Sequence, residues 1–123
     1  MLFDSHAHLN DARFDEDREA LIQKLQEEHV DLVLNPGADI ETSISSVELA
    51  NKYDFIYAAV GVHPSDVADL NEETFAWLRE QTAWERTVAV GEIGLDYYWD
   101  KEPKVQENQR YWFKRQLELA AEA

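Results

Sequence analysis

The chain has 123 residues, a formal net charge of −15, 45% hydrophobic residues and no cysteine. That length supports one domain with its own core and not two, and the lack of cysteine excludes disulfides, zinc–thiolate sites and a cysteine nucleophile. The acidic balance argues against tight metal-free binding to nucleic acid, which relies on Lys and Arg neutralising phosphates, but is compatible with an enzyme that meets phosphate through bound cations. No apolar run is long enough to span a membrane. The amino terminus has no basic region followed by an apolar segment, so the expected location is the cytoplasm.

Taken in chain order, strand-like and helix-like segments alternate. Leu2–His8 reads as a short strand that ends in two histidines one residue apart, His6 and His8. Asp15-Glu16-Asp17 suits the positive amino end of a helix, and Leu21, Ile22 and Leu25 recur at helical spacing. Val30–Asn35 is a second strand, stopped by Pro36-Gly37, and Ile40, Ile44 and Val47 mark the expected inner face of a second helix ending near Lys52. Phe55–Val62 is a third strand, stopped by His63-Pro64. Asn71 is placed to cap a third helix whose Phe75 and Leu78 face inward. Thr87–Leu95 reads as the fourth strand, followed by a polar and aromatic loop from Asp96 to Lys104. A last helix begins near Val105, with Trp112, Phe113, Leu117 and Ala120 as its expected apolar positions.

These are four βα units, each of a size that fits a right-handed crossover. The near-continuous apolar runs of the third and fourth strands fit parallel strands buried on both faces. Two architectures use this pattern, a doubly wound open sheet and part of a (β/α)8 barrel. The turn after the first strand, His6-Ala7-His8-Leu9-Asn10, lacks the glycines of a nucleotide-binding open sheet. Polar residues instead gather at the carboxyl ends of several strands: His6, His8, Asn35, His63 and Glu92. A barrel assembles its active site at that rim.

Residues i and i+2 of a strand point to one side, so His6 and His8 can offer two neutral imidazoles to one divalent ion; the alternative is a hydrogen-bonding pair. Asp4 shares that side, either orienting an imidazole or serving as a plain hydrogen-bond acceptor. Glu92, in Val90-Gly91-Glu92-Ile93-Gly94, needs a partner if it is buried, and a metal or a cationic side chain would serve. His63 is a candidate for facing substrate, against the plainer role of bonding backbone at the strand end. His29 fits a helix end and a structural role. Of the four tryptophans, three lie on or near helices and suit packing. Trp99, beside Tyr97 and Tyr98 in the loop after Glu92, is the candidate for touching substrate.

The segments Phe3-Asp4-Ser5-His6-Ala7-His8-Leu9, Asn35-Pro36-Gly37, Gly61-Val62-His63-Pro64 and Gly91-Glu92-Ile93-Gly94-Leu95-Asp96-Tyr97, with Gln109, Phe113, Gln116 and Leu117 of the last helix, resemble the TatD-like metal-dependent deoxyribonucleases of the amidohydrolase-type barrels. The resemblance runs through essentially the whole chain. It implies a (β/α)8 TIM-type barrel and one or two divalent ions (Mg, Mn or Zn) held by His6, His8 and Glu92. It also implies hydrolysis of DNA or another nucleic acid by a metal-activated water. A related hydrolase of a small ester, amide or phosphate, and a non-catalytic metal-binding half-barrel, are the alternatives. Members of that family are roughly twice this length, as a complete barrel requires, and their later strands supply two more histidines and an aspartate. The expectation is therefore a single incomplete domain, residues 1–123, equivalent to the amino-terminal half of a barrel. Such a segment is expected to have little catalysis alone, and to self-associate or derive from a longer chain because its outer strands would be open edges.

Overall fold

Four short parallel strands and four helices alternate along residues 1–123 in the computed structural model. The strands are β1 (Leu2–Asp4), β2 (Val30–Pro36), β3 (Ile56–Val60) and β4 (Thr87–Val90). The helices are α1 (Arg18–Glu27), α2 (Ile40–Lys52), α3 (Glu72–Thr82) and α4 (Pro103–Glu122). The sheet order is β1-β2-β3-β4, so each strand pairs with its sequence neighbour. Asp4 lies opposite Val33, Val33 opposite Ile56, and Val60 opposite Val90. Consecutive parallel strands joined by helices form the expected run of βα units, the arrangement of half a (β/α)8 barrel.

Local chemistry explains where the helices start. Asp39 caps α2 and Asn71 caps α3, each accepting from the backbone N–H three residues on, while Thr42 and Thr74 reach back to the cap residue's own N–H. Proline opens α4, where its missing N–H costs nothing. His29, just past the end of α1, has φ 63°, the left-handed conformation that terminates helices. The histidine is thus structural, as its setting indicated.

The outer strands are shorter than the apolar runs that encode them. The β1 run extends to His8, yet pairing stops at Asp4, whose carboxylate accepts from the backbone N of His6 at 3.0 Å and turns the chain. The β4 run extends to Leu95, yet pairing stops at Val90, because the N–H of Glu92 donates to the carbonyl of Gly37 instead. Nor is β4 buried on both faces as its sequence suggested: Val88 is 55% exposed, since β4 has a neighbour on one side alone. Only β3, flanked by β2 and β4, has the burial expected of a central parallel strand.

In two helices the fully buried positions are mostly not the large apolar residues that mark the expected inner face, although Ile40 and Val47 of α2 pack against the core and Trp112 of α4 is buried as expected. In α2 the buried positions are Ser43, Ser46, Leu49 and Ala50, and Ile44 faces out. Small residues let the helix approach so closely that a Cβ on Gly37 would run into Ser43. Ser43 Oγ donates to the carbonyl of Gly61 and accepts from its N–H, which satisfies a buried hydroxyl. In α4 the buried positions are Gln109, Trp112, Gln116 and Leu119, while Leu117 and Ala120 face solvent. Gln116 bonds both backbone groups of Val62, and Gln109 does the same for Asp96. Those backbone groups would otherwise be buried without partners, so the amides win the inward positions.

The core lies between the sheet and the helices in two clusters. One gathers Ile22, Val33, Leu49 and Ile56 beneath α1 and α2. The other gathers Val60, Phe75, Leu78, Trp112 and Leu119 beneath α3 and α4. Together they hold the carboxyl ends of the strands in register, where the polar residues converge.

Candidate metal centre

Three side chains meet beyond the carboxyl ends of β1 and β4. His6 Nε2 lies 3.1 Å from His8 Nε2. The Glu92 Oε2 atom is 3.3 Å from His8 Nε2 and 3.7 Å from His6 Nε2. The two imidazoles stand edge to face, with ring planes at 83°. One ligand atom from each residue falls within 4.8 Å of the others. Metal–ligand bonds of about 2.0–2.1 Å at tetrahedral angles place ligand atoms roughly 3.3 Å apart. The three observed separations bracket that value, so the donor set fits one divalent ion. Two imidazoles and a carboxylate are donors that divalent transition ions accept.

Backbone anchoring delivers these groups. The N–H of Ala7, between the histidines, donates to the carbonyl of Leu34 at 3.1 Å. The N–H of Leu9 donates to the side-chain oxygen of Asn35 at 2.7 Å. Asn35 is fully buried, and its amide nitrogen donates to Asn10 and Ser46. On the other side of the segment, the Arg18 guanidinium donates to the carbonyls of Leu9, Asn10 and Asp11. Glu92 is placed by its own N–H on Gly37 and by the close approach of β3 to β4, where Gly61 faces the backbone of Gly91.

Asp4 bonds the backbone of His6 rather than its ring, which resolves the two roles open for it toward a structural acceptor. His63 stands apart from the three-ligand cluster. It caps the 3-10 turn Pro64–Asp69, with its Nδ1 accepting from the N–H of Ser65 at 3.1 Å. That bond leaves Nε2 to carry the proton of the neutral ring and to act as a donor. Trp99 lies in the loop that leads from Glu92 to α4, is 78% exposed, and its ring meets that of Tyr98 edge to face. Reading the sequence by motif missed Arg18 as a site-supporting residue. Its signal was its position: a cation in the first turn of a helix opposes the helix dipole and needs another reason to be there.

The comparisons with known proteins decide the family. A family model described as TatD related DNase matches residues 3–123. The chain belongs to the TatD-related DNase family. Among its TatD relatives, the uncharacterized metal-dependent hydrolase YabD of Bacillus subtilis is 47% identical over 122 residues, covering 99% of this chain and 47% of that protein. A 3'-5' ssDNA/RNA exonuclease TatD of Cronobacter sakazakii is 32% identical over 98% of this chain and 45% of its own length. The crystal structure of YjjV, the TatD homolog of Escherichia coli, superposes with a TM-score of 0.84 at 31% identity, covering 97% of this chain and 46% of that one. An uncharacterized amidohydrolase from Saccharomyces cerevisiae shares the fold, with a TM-score of 0.80 at 24% identity. The chain spans about half the length of the TatD relatives it matches. Its four strands and helices correspond to the first half of their barrel.

Proposed function

We propose that this chain carries the amino-terminal share of a metal-dependent hydrolase site that cleaves phosphodiester bonds in DNA. The observation that carries the reading is the convergence of His6 Nε2, His8 Nε2 and the Glu92 carboxylate within 4.8 Å at the carboxyl rim of the sheet. These residues would hold one or two divalent ions, with Glu92 as the carboxylate ligand beside the two imidazoles. Ions held there supply a water of lowered pKa and polarise a phosphoryl oxygen. His63, with its Nδ1 occupied, offers an Nε2–H donor for a phosphate oxygen. The names of several TatD relatives specify exonucleases of single-stranded DNA and RNA, which supports a nucleic-acid substrate. The acidic surface does not oppose this, because bound cations are then the largest local charges.

Two measurements test the reading. Calorimetric titration with Zn²⁺ or Mn²⁺ is expected to show uptake by the 123-residue chain, weakened at least tenfold in His6→Ala, His8→Ala and Glu92→Gln. Release of nucleotides from single-stranded DNA is expected to require the metal. It is also expected to require a protein in which further βα units complete the barrel, and to be lost on His6→Ala. Cleavage unchanged by His6→Ala would refute the assignment. Parallel assays on a small phosphodiester, an ester and an amide distinguish a nuclease from a related metal hydrolase.

A further inference from the structure

We infer that Tyr98 and Trp99 form a stacking platform for the unpaired bases of a single-stranded nucleic acid, on the same rim as the metal centre. The inference rests on the nuclease reading above. Tyr98 is 70% exposed and Trp99 78%, and their rings meet edge to face at 4.5 Å. In that geometry one ring covers only an edge of the other, and a broad aromatic face stays open. Large rings normally give up water contact on folding, and an adjacent pair left in solvent marks a surface for something flat and apolar.

The loop that displays them is held firmly. Fully buried Gln109 accepts from the N–H of Asp96 at 2.9 Å and donates to the Asp96 carbonyl at 2.9 Å and the Asp100 carboxylate at 2.7 Å. Asp96 Oδ1 accepts from the N–H of Tyr98 at 3.0 Å, and Gln106 donates to the Asp100 carbonyl at 2.9 Å. Tyr98 and Trp99 are therefore bracketed by two clamped aspartates. A preorganised aromatic pair loses little freedom when a base lands on it.

Placement and charge point to the same ligand. The loop starts at Glu92, and its far end at Asp100 lines one cleft with Pro64 and Ser65, beside the His63 cap. Both segments follow carboxyl ends of strands, so the platform shares the rim of the candidate metal centre. A chain of net charge −15 gains little from phosphate neutralisation away from its ions. Stacking on base faces carries no charge penalty and tolerates any sequence, which suits a strand-processing enzyme. Lys101 adds a local cation, with its ammonium 5.8 Å from the Tyr98 ring centroid.

The test compares binding of a short labelled oligodeoxythymidylate and an abasic phosphodiester of equal length, by fluorescence anisotropy in the presence of Mn²⁺. The wild-type chain is expected to prefer the base-carrying strand. Trp99→Ala is expected to bind it roughly five- to hundredfold more weakly and to leave abasic binding unchanged, while Trp99→Phe keeps most of the preference. Circular dichroism checks that the variants stay folded, as exposed positions should. The platform is overturned if Trp99→Ala binds the oligonucleotide as wild type does, if the wild type grips the abasic strand equally well, or if it binds neither. The metal reading fails separately, if His6→Ala takes up Zn²⁺ as the wild type does.

Discussion

The side-chain oxygen of Asn35 accepts from the backbone N–H of Leu9 at 2.7 Å, joining the end of β2 to the residue that follows His8. This one bond couples the buried core to the placement of the second imidazole. Asn35→Ala leaves the Leu9 N–H and the Asn10 and Ser46 side chains without their partner. The expected cost is about 2 kcal/mol of stability, read by urea unfolding, because a buried polar group is orphaned. A parallel Zn²⁺ titration is expected to show affinity reduced roughly tenfold or more, as supporting partners of ligands typically do. Wild-type affinity in a folded Asn35→Ala chain would show that the histidine turn holds itself.

Gly61→Ala probes the other ligand. A Cβ at Gly61 would lie 2.9 Å from the carbonyl carbon and oxygen of Gly91, too close for either to stay in place. The added methyl group must push β3 and β4 apart beside Glu92. A loss of about 1–3 kcal/mol in stability is expected from such overpacking, with weaker metal uptake alongside. Unfolding curves and metal titrations that both match wild type would contradict the close-approach argument.

The pair between α3 and α4 has a predictable pH dependence. Arg115 donates to both carboxylate oxygens of Glu72, at 2.7 and 3.0 Å, and lies 4.4 Å from the Phe75 ring centroid. The hydrogen bond from Arg115 holds the Glu72 carboxyl below its ordinary value of 4.5. A carboxyl whose pKa falls on folding stabilises the fold above its unfolded value and loses that contribution as pH falls through its folded value. The stability gap between wild type and Glu72→Gln is therefore expected to be full near neutral pH and to close as pH drops below 4.5. Melting temperatures measured across that range check it, and a gap that widens in acid would be the wrong sign. Arg115→Lys keeps the charge but loses the two-pronged geometry and the planar stack, so a drop in melting temperature is expected there too.

Both edges of the sheet are open. Leu2 is 61% and Phe3 60% exposed on β1, and Val88 is 55% exposed on β4. At the β4 edge the Thr87 hydroxyl is buried without a partner. Unpaired parallel edges with apolar side chains recruit further strands. Light scattering of the 123-residue chain is expected to report association. A monodisperse monomer would count against it.

Much of this molecule follows from local sequence alone. Alternating apolar runs and helix caps such as Asn71 specify the βα order, because strand and helix periods and capping bonds act over a few residues. The His-x-His spacing puts two imidazoles within reach of one ion, but both histidines follow the turn at Asp4 rather than lying in β1, so their facing is set by the anchoring of Ala7 and Leu9 on β2. Other features needed the assembled fold. Only tertiary contact decides that α2 and α4 bury serines and glutamines, since the backbone groups those side chains satisfy, in Gly61, Val62 and Asp96, lie 13 to 54 residues away. The same holds where β4 stops pairing, which depends on Glu92 finding the carbonyl of Gly37. The meeting of Glu92 with the histidine pair depends on the curvature of four paired strands, a relation between distant segments that no local pattern encodes.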